Sequence, residues 1–560
     1  MDAEAKGLPC LDVSAVAPAW DRFVESFLEG YFERNPTFSQ WAGRHEHDGR
    51  LPDWSPEAIG ERSDWLSAER ERALAFDPDC LDERRRVERA ALTAHIDSDL
   101  FWVEGGWPWR NPIYYAGPMD PANYLTRDYA PLEQRMRAYV EYAKAIPATA
   151  AQVRANLGDL RRPLPRTFAE LGEMSFRGLA GYFESDVPPV FAAVEDPDLQ
   201  AAFREANAAA AVAVRELGAW FQGQIASAPE EGFALGADLF LRMLRETERV
   251  DVSLADLEAA GRRELERNQS ALREACAEWA PGVSIAECLA RVQAEKPPEG
   301  PVGAARRQLA GLRRFVEEAG LVSIPGDEQA RVEESPPYQR WNSAYIDIPG
   351  PYDRHLPAIY YISPPDPAWS PEERAAYVAG EADLLFITAH EVWPGHFLQF
   401  LHSNRAESLI GRLFVGYGFA EGWAHYSEEL IWEAGFGAGD PKTRIGQLQN
   451  ALLRNVRYLV AIGLHTQGMT VAEAEKMFRE KGFQDVANAR QQAARGTFDP
   501  GFLNYTLGKL MVRRLREDWT SARGGRASWR EFHDRFLSYG GPPIPLVRSA
   551  MTGRTDGPLF

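Results

Sequence analysis

From Trp20 to about Leu321, apolar residues recur at three- and four-residue spacing, with Pro or Gly between the periodic segments. That pattern predicts helix after helix, as in the stretches Asp82 to Phe101, Pro131 to Ile146, Asp198 to Ala226 and Ser253 to Trp279. No repeat of fixed period is evident, so a solenoid is not expected. Between Leu321 and Pro365 the pattern changes. Arg331-Val332-Glu333, Ala344-Tyr345-Ile346-Asp347-Ile348 and Ala358-Ile359-Tyr360-Tyr361-Ile362 group strand-forming residues between Pro and Gly breaks, which predicts a small sheet. Ser370-Pro371-Glu372-Glu373 then reads as a helix start, with Pro at the first position and acids in the first turn, and helices continue to the end. The expected fold class is therefore mainly α, a multi-helix arrangement around a cleft with a small β-sheet before the chemically interesting helix. Three regions follow, residues 12–321, 322–365 and 366–560, taken together as one intertwined unit.

Composition narrows the function more than the fold. The 560 residues are 45% hydrophobic and 26% charged, enough for a large core. A formal charge of −20 without any cationic run argues against nucleic acid as a partner. Cys10, Cys80, Cys276 and Cys288 show no CxxC spacing and read as reduced structural residues. The first twenty residues lack a continuous apolar core of the secretory kind, and no stretch reaches the ~18 apolar residues of a membrane span. A cytoplasmic protein with no membrane partner is the expectation.

The chemistry concentrates in His390-Glu391-Val392-Trp393-Pro394-Gly395-His396. A histidine followed by glutamate opens the zincin signature, in which two histidines on one helical face hold zinc and the glutamate activates water. Here the second histidine comes at i+6 rather than i+4, which places it about 120° off the face of the first in a regular helix. Pro394 removes the hydrogen bond to the carbonyl of His390, and Gly395 tolerates unusual backbone angles, so a break that realigns the two rings is expected. Glu421, in the helical segment Phe419 to Leu430, is the candidate third ligand; a solvated helical acid is its other reading. Two imidazoles and one carboxylate leave a fourth position open, as catalytic zinc sites require, and favour zinc, one per chain, over manganese or cobalt. Glu428 and Glu429 read mainly as surface charges, with an acceptor for a ligand imidazole as the alternative for one of them.

These residues resemble the bacterial family known as domain of unknown function 885, with its pattern His-Glu-x-x-Pro-Gly-His-x-x-Gln followed by Glu-Gly-Trp-Ala. The match runs through His390-Glu391, Pro394-Gly395-His396 and Gln399, then Glu421-Gly422-Trp423-Ala424. Ile462 to Gly468 and Tyr505 to Lys509, followed by Leu515-Arg516, are similar as well. One departure is Val460-Ala461-Ile462, where many members carry an acid that would orient His465. The family in turn resembles glutamate-ligated zinc peptidases with helical clefts, including dipeptidyl peptidase III, which also carries an insertion between its zinc histidines. That resemblance implies a fold and a metal, and leaves the substrate open.

The expected activity is zinc-dependent hydrolysis of a peptide, with Glu391 as general base and His465 and Tyr505 as donors to the oxyanion. Buried His and Tyr also commonly satisfy local hydrogen bonds and nothing more. Ala358 to Ile362 is either an edge strand on which an extended substrate pairs or an interior strand. Arg454 and Arg457 either bind a substrate carboxylate or serve as ion-pair partners. Hydrolysis of a small non-peptide amide and a non-catalytic helical binding protein are the competing functions; retention of Glu391 speaks against the second, because a structural metal has no need of it.

Overall fold

The computed structural model describes residues 13–159, 161–336, 340, 343–367 and 369–560. It is mainly helical and divides into two compact units, one running to Phe233 and taking back Pro349–Leu356, the other comprising Ala234–Ile348 and Pro357–Phe560. This division falls inside the first expected region, and all three expected regions contribute to the second unit.

In the first unit, helices α1 (Leu132–Leu157), α2 (Arg166–Ser185) and α3 (Pro197–Ile225) form the densest packing, with α3 against both others. Helix α3 begins where Asp196 caps the amides of Asp198 and Leu199. Its stripe Leu199, Phe203, Ala206, Ala210, Val214, Leu217 and Phe221 is buried, which is the three-four spacing read from the sequence.

The second unit carries the candidate chemistry. Its helices are α4 (Ala237–Glu248), α5 (Leu254–Trp279) and α6 (Gly300–Glu318), then, beyond the sheet, α7 (Glu381–Glu391), α8 (His396–Ser403), α9 (Tyr417–Ala434), α10 (Pro441–Thr466), α11 (Val486–Phe498) and α12 (Asn504–Thr520). The sheet has strands β1 (Arg331–Glu334), β2 (Ala344–Asp347) and β3 (Ile359–Ile362) in the order β1-β3-β2. Strand β3 runs parallel to β1 and antiparallel to β2, so both of its flanks are paired. The edge-strand reading of Ala358 to Ile362 is overturned: the continuous apolar run Ile359-Tyr360-Tyr361-Ile362 suits a buried central strand, and the mostly exposed β1 takes an edge.

Two further expectations are corrected here. The cysteines are not reduced: Cys276 at the end of α5 is bonded to Cys288, Cys80 is also in a disulfide, and Cys10 lies outside the described residues. Glu429 is not a surface charge. Lys509 Nζ of α12 sits 2.9 Å from Glu264 of α5 and 2.5 Å from Glu429 of α9, and Arg267 bridges the same two carboxylates. Burial of two acids is tolerated because cations from neighbouring helices compensate them. This cluster ties α5, α9 and α12 together.

A second buried acid joins the starts of α9 and α12. Glu248, at the end of α4, accepts hydrogen bonds from the Gly418 amide (3.1 Å) and from Asn504 Nδ2 (2.9 Å). Burial pushes its carboxyl up to about 7, partly offset by the Gly418 bond. The unfolded chain releases this proton near pH 4.3, so between there and pH 7 the folded state holds a proton that the unfolded state does not. Stability from this group is therefore present at low pH and is lost as pH rises through about 7, with a slope of at most ~1.4 kcal/mol per pH unit. Glu248→Gln is expected to flatten the fall between pH 5 and 8 in urea unfolding; an unchanged pH profile would remove Glu248 as its source.

Candidate metal centre

Helix α7 starts after Gly380 with Glu381 and Asp383 in its first turn and stops at Glu391. The next four residues are non-helical, the Trp393-Pro394 bond is cis, and α8 restarts at His396. The expected break is thus present between the two histidines. Close approach explains Gly395. Its amide donates to the Ala389 carbonyl at 3.0 Å, and a Cβ there would lie 1.8 Å from the carbonyl oxygen of His390. No side chain fits between these two backbones.

Glu421 comes from the second turn of α9, and its neighbours in sequence hold α9 against the break. Trp423 Nε1 donates to the Pro394 carbonyl at 2.8 Å, joining the second motif to the first. Gly422 faces Gly508 of α12 so closely that a Cβ on Gly422 would lie 2.5 Å from the Gly508 Cα. The Gly-Trp pair after Glu421 therefore sets the position of α9 on both sides.

The result is convergence of three donors. The Nε2 atoms of His390 and His396 each lie 3.3 Å from Glu421 Oε2, and the rings meet nearly at right angles with centroids 4.8 Å apart. Glu421 Oε2 is buried yet hydrogen-bonds to neither ring. A tetrahedral ion with bonds of about 2.0–2.1 Å has ligand–ligand edges of about 3.3–3.4 Å, so the donor types and both imidazole-to-carboxylate distances fit zinc, and the three donor atoms all lie within 4.8 Å of one another. Among the described residues this is the one group of three or more His, Cys, Asp or Glu side chains placed to hold a metal.

Behind the donors, Glu428 is a buried partner of His390 rather than a surface charge. Its Oε1 lies 2.7 Å from His390 Nδ1 and 3.1 Å from Arg454, and its Oε2 lies 3.3 Å from His425 Nδ1. Burial alone would raise the Glu428 carboxyl, but Arg454, His425 and His390 hold it below the usual carboxylate range. His425 is pushed down to about 3, chiefly by burial, and stays neutral. Glu428 can thus accept a hydrogen bond from His390 Nδ1–H and leave Nε2 free for a metal. Arg454 pairs with Glu428 and bonds Asn450 as well, so the structure shows it as an ion-pair partner.

Glu391 is half-buried and makes no hydrogen bond or ion pair among the described residues, which leaves its carboxylate free to accept a proton. Burial raises its carboxyl, opposed by the nearby His390 and His396. The two expected oxyanion donors separate. Tyr505 stacks on the His390 ring, centroids 6.2 Å apart and planes 17° from parallel. His465 is fully buried, with Nε2 2.8 Å from the Gly496 carbonyl and its ring against Phe240. It follows Arg454 by three turns of α10, about 16 Å along the axis, which takes it away from His390, His396 and Glu421. Tyr417 and Arg495, beside Tyr505, were missed from the sequence; no motif marks them, and only the packing of α9, α11 and α12 brings them in.

Residues 36–551 match the family described as "Bacterial protein of unknown function (DUF885)". The chain belongs to the DUF885 family. No curated protein matches it. This DUF885 protein is similar to a candidate lipoprotein of unknown function from Shewanella oneidensis, with TM-score 0.79 and 23% identity over 95% of this chain and 99% of the other. It is also similar to a candidate lipoprotein from Colwellia psychrerythraea, with TM-score 0.80 and 17% identity over 96% and 99% of the two chains. At these identities the likeness concerns the fold.

Proposed function

We propose that this DUF885 protein is a zinc-dependent hydrolase of peptide or amide bonds, akin to the glutamate-ligated zinc peptidases. The observation that carries the reading is the set of three donors at tetrahedral spacing with an uncommitted carboxylate, Glu391, on the residue next to one of them. His390, His396 and Glu421 would hold the ion. Bound zinc supplies Lewis acidity, polarising a substrate carbonyl and making water more acidic. Glu391 takes the proton of the attacking water and returns it to the leaving amine. Tyr505 offers its phenol to the developing oxyanion, while Glu428 keeps His390 oriented. Substrate would enter a cleft on the side of Glu391, His396 and Glu421, the members that retain exposure. A structural metal site has no use for a free Glu391, which disfavours a purely binding role.

The disulfides point to an oxidising compartment rather than the cytoplasm expected from the sequence, and the lipoprotein descriptions of the two similar structures agree with that. The deciding experiment is metal analysis of the purified protein together with hydrolysis of a peptide pool and of small amides. One zinc per chain, with hydrolysis lost on chelation and restored by zinc, is the expected result. Full hydrolysis by metal-stripped protein would end the proposal, and activity on small amides alone would move the substrate class.

A further inference from the structure

Beside Tyr505 lies a group of three arginines in different states of compensation. Arg454, Arg457 and Arg495 have their guanidinium carbons 5.8, 4.9 and 5.9 Å from the Tyr505 ring centroid. Arg454 is paired with Glu428. Arg495 is paired with Asp499 at 2.9 Å and also donates to Tyr417 Oη. Arg457 is 8% exposed, and among the described residues no carboxylate pairs with it. Its Nε donates to Gln492 Oε1 at 2.8 Å, which fixes the plane of the fork, and its two Nη nitrogens have no hydrogen-bond partner there. Burial and the neighbouring Arg495 push its guanidinium down to about 10, so the surroundings disfavour the charge they enclose. A buried cation held in place by a neutral amide and left without an anion is costly, and an incoming anion removes the cost.

We propose that Arg457 binds the free C-terminal carboxylate of a peptide substrate, one or two residues beyond the bond that is cut. This rests on the hydrolase reading above and names its substrate class. The distance supports the short spacing: Arg457 and His390 both lie beside the same Tyr505 ring, 4.9 Å and 6.2 Å from its centroid, and each extended residue spans about 3.3–3.6 Å. The guanidinium fork matches a carboxylate in a bidentate manner, and an amide offers one acceptor and no charge. Arg495, already satisfied by Asp499, adds positive potential without competing for the ligand.

The test uses the full-length, zinc-loaded Glu391→Gln protein, which should bind without turnover, and two probes: a pool of unmodified tripeptides and the same pool C-terminally amidated. The free acids are expected to bind about 10- to 100-fold more tightly than the amides by calorimetry. Adding Arg457→Met should bring the two pools to nearly equal affinity, and Arg457→Lys should restore part of the preference. Equal binding of acids and amides, or a preference that survives Arg457→Met, overturns the assignment. So does tight binding of amidated peptides carrying Asp or Glu, which would make the ligand a side-chain carboxylate. If Arg457→Met does not fold, by circular dichroism, the comparison of acids and amides with Arg457 intact decides. Acid preference that depends on Arg457, without turnover by the unmutated protein, would uphold this inference and sink the hydrolase reading; turnover indifferent to amidation would do the reverse.

Discussion

Glu391→Gln is expected to keep its zinc and to lose hydrolysis by ~10²- to 10⁴-fold, the range of general acid–base catalysis. The argument is geometric. Glu391 ends α7 directly after a ligand, about 100° further around the helix, and no side chain of the described protein claims its carboxylate. Glutamine keeps the size and one acceptor oxygen but cannot take a proton. The parallel measurement is zinc content, since a carboxylate that helped to hold the ion would lower both quantities together. Retention of zinc and of full turnover would mean that another base acts and that the mechanism is wrong. Loss of zinc would move Glu391 into the ligand set.

Gly395→Ala is expected to weaken zinc binding by ~10- to 100-fold, although residue 395 touches no metal. A methyl group there would sit 1.8 Å from the His390 carbonyl oxygen and 2.5 Å from that of Ala389, both of them backbone atoms that cannot swing away. The segment between α7 and α8 must shift, and with it the angle between the two histidines. Overpacking of this kind also costs stability, ~1–3 kcal/mol. Competition with a chromogenic chelator reads the affinity, and a thermal melt reads the fold. His396→Ala is the companion variant, which should lose zinc while leaving the backbone of the break alone. Parental affinity in Gly395→Ala would show that the ligand rings do not depend on this close approach.

The grouping of His390, His396 and Glu421 was legible because residue type and spacing both constrain it. His-Glu and a second His at i+6 conflict with a regular helix, and Pro394-Gly395 resolves the conflict, so sequence alone predicts the break. The helices were legible from their apolar period, and the caps that begin three of them, at Asp82, Asp196 and Ser253, are seen in the structure. Glu428 and Glu429 were not, because a carboxylate on a helix is ordinarily solvated and what buries these two are Arg454, Lys509 and Arg267 from helices distant in sequence. A clue was available in the spacing of Glu421, His425 and Glu428, which recur on one face at i, i+4 and i+7. The roles of Arg454 and Arg457 could not be separated either, since both read as buried-face arginines one turn apart, and the positions of Glu428 and Gln492 decide between them. His465 was misplaced because it lies on the right helix, but three turns too far along it.

All three candidate donors come from one stretch of chain, His390 to Glu421, which contains α8 and the short helix Leu409–Leu413 before α9. An ion held there closes that stretch into a ring, as a covalent cross-link would, except that this link can be undone by dilution or competition. Because the donors converge in the native state alone, the ion binds the folded chain in preference to the unfolded one, and stability rises with the logarithm of its free concentration. On the proposed metal site, the supply of metal in the surrounding compartment would then govern how long the protein lasts.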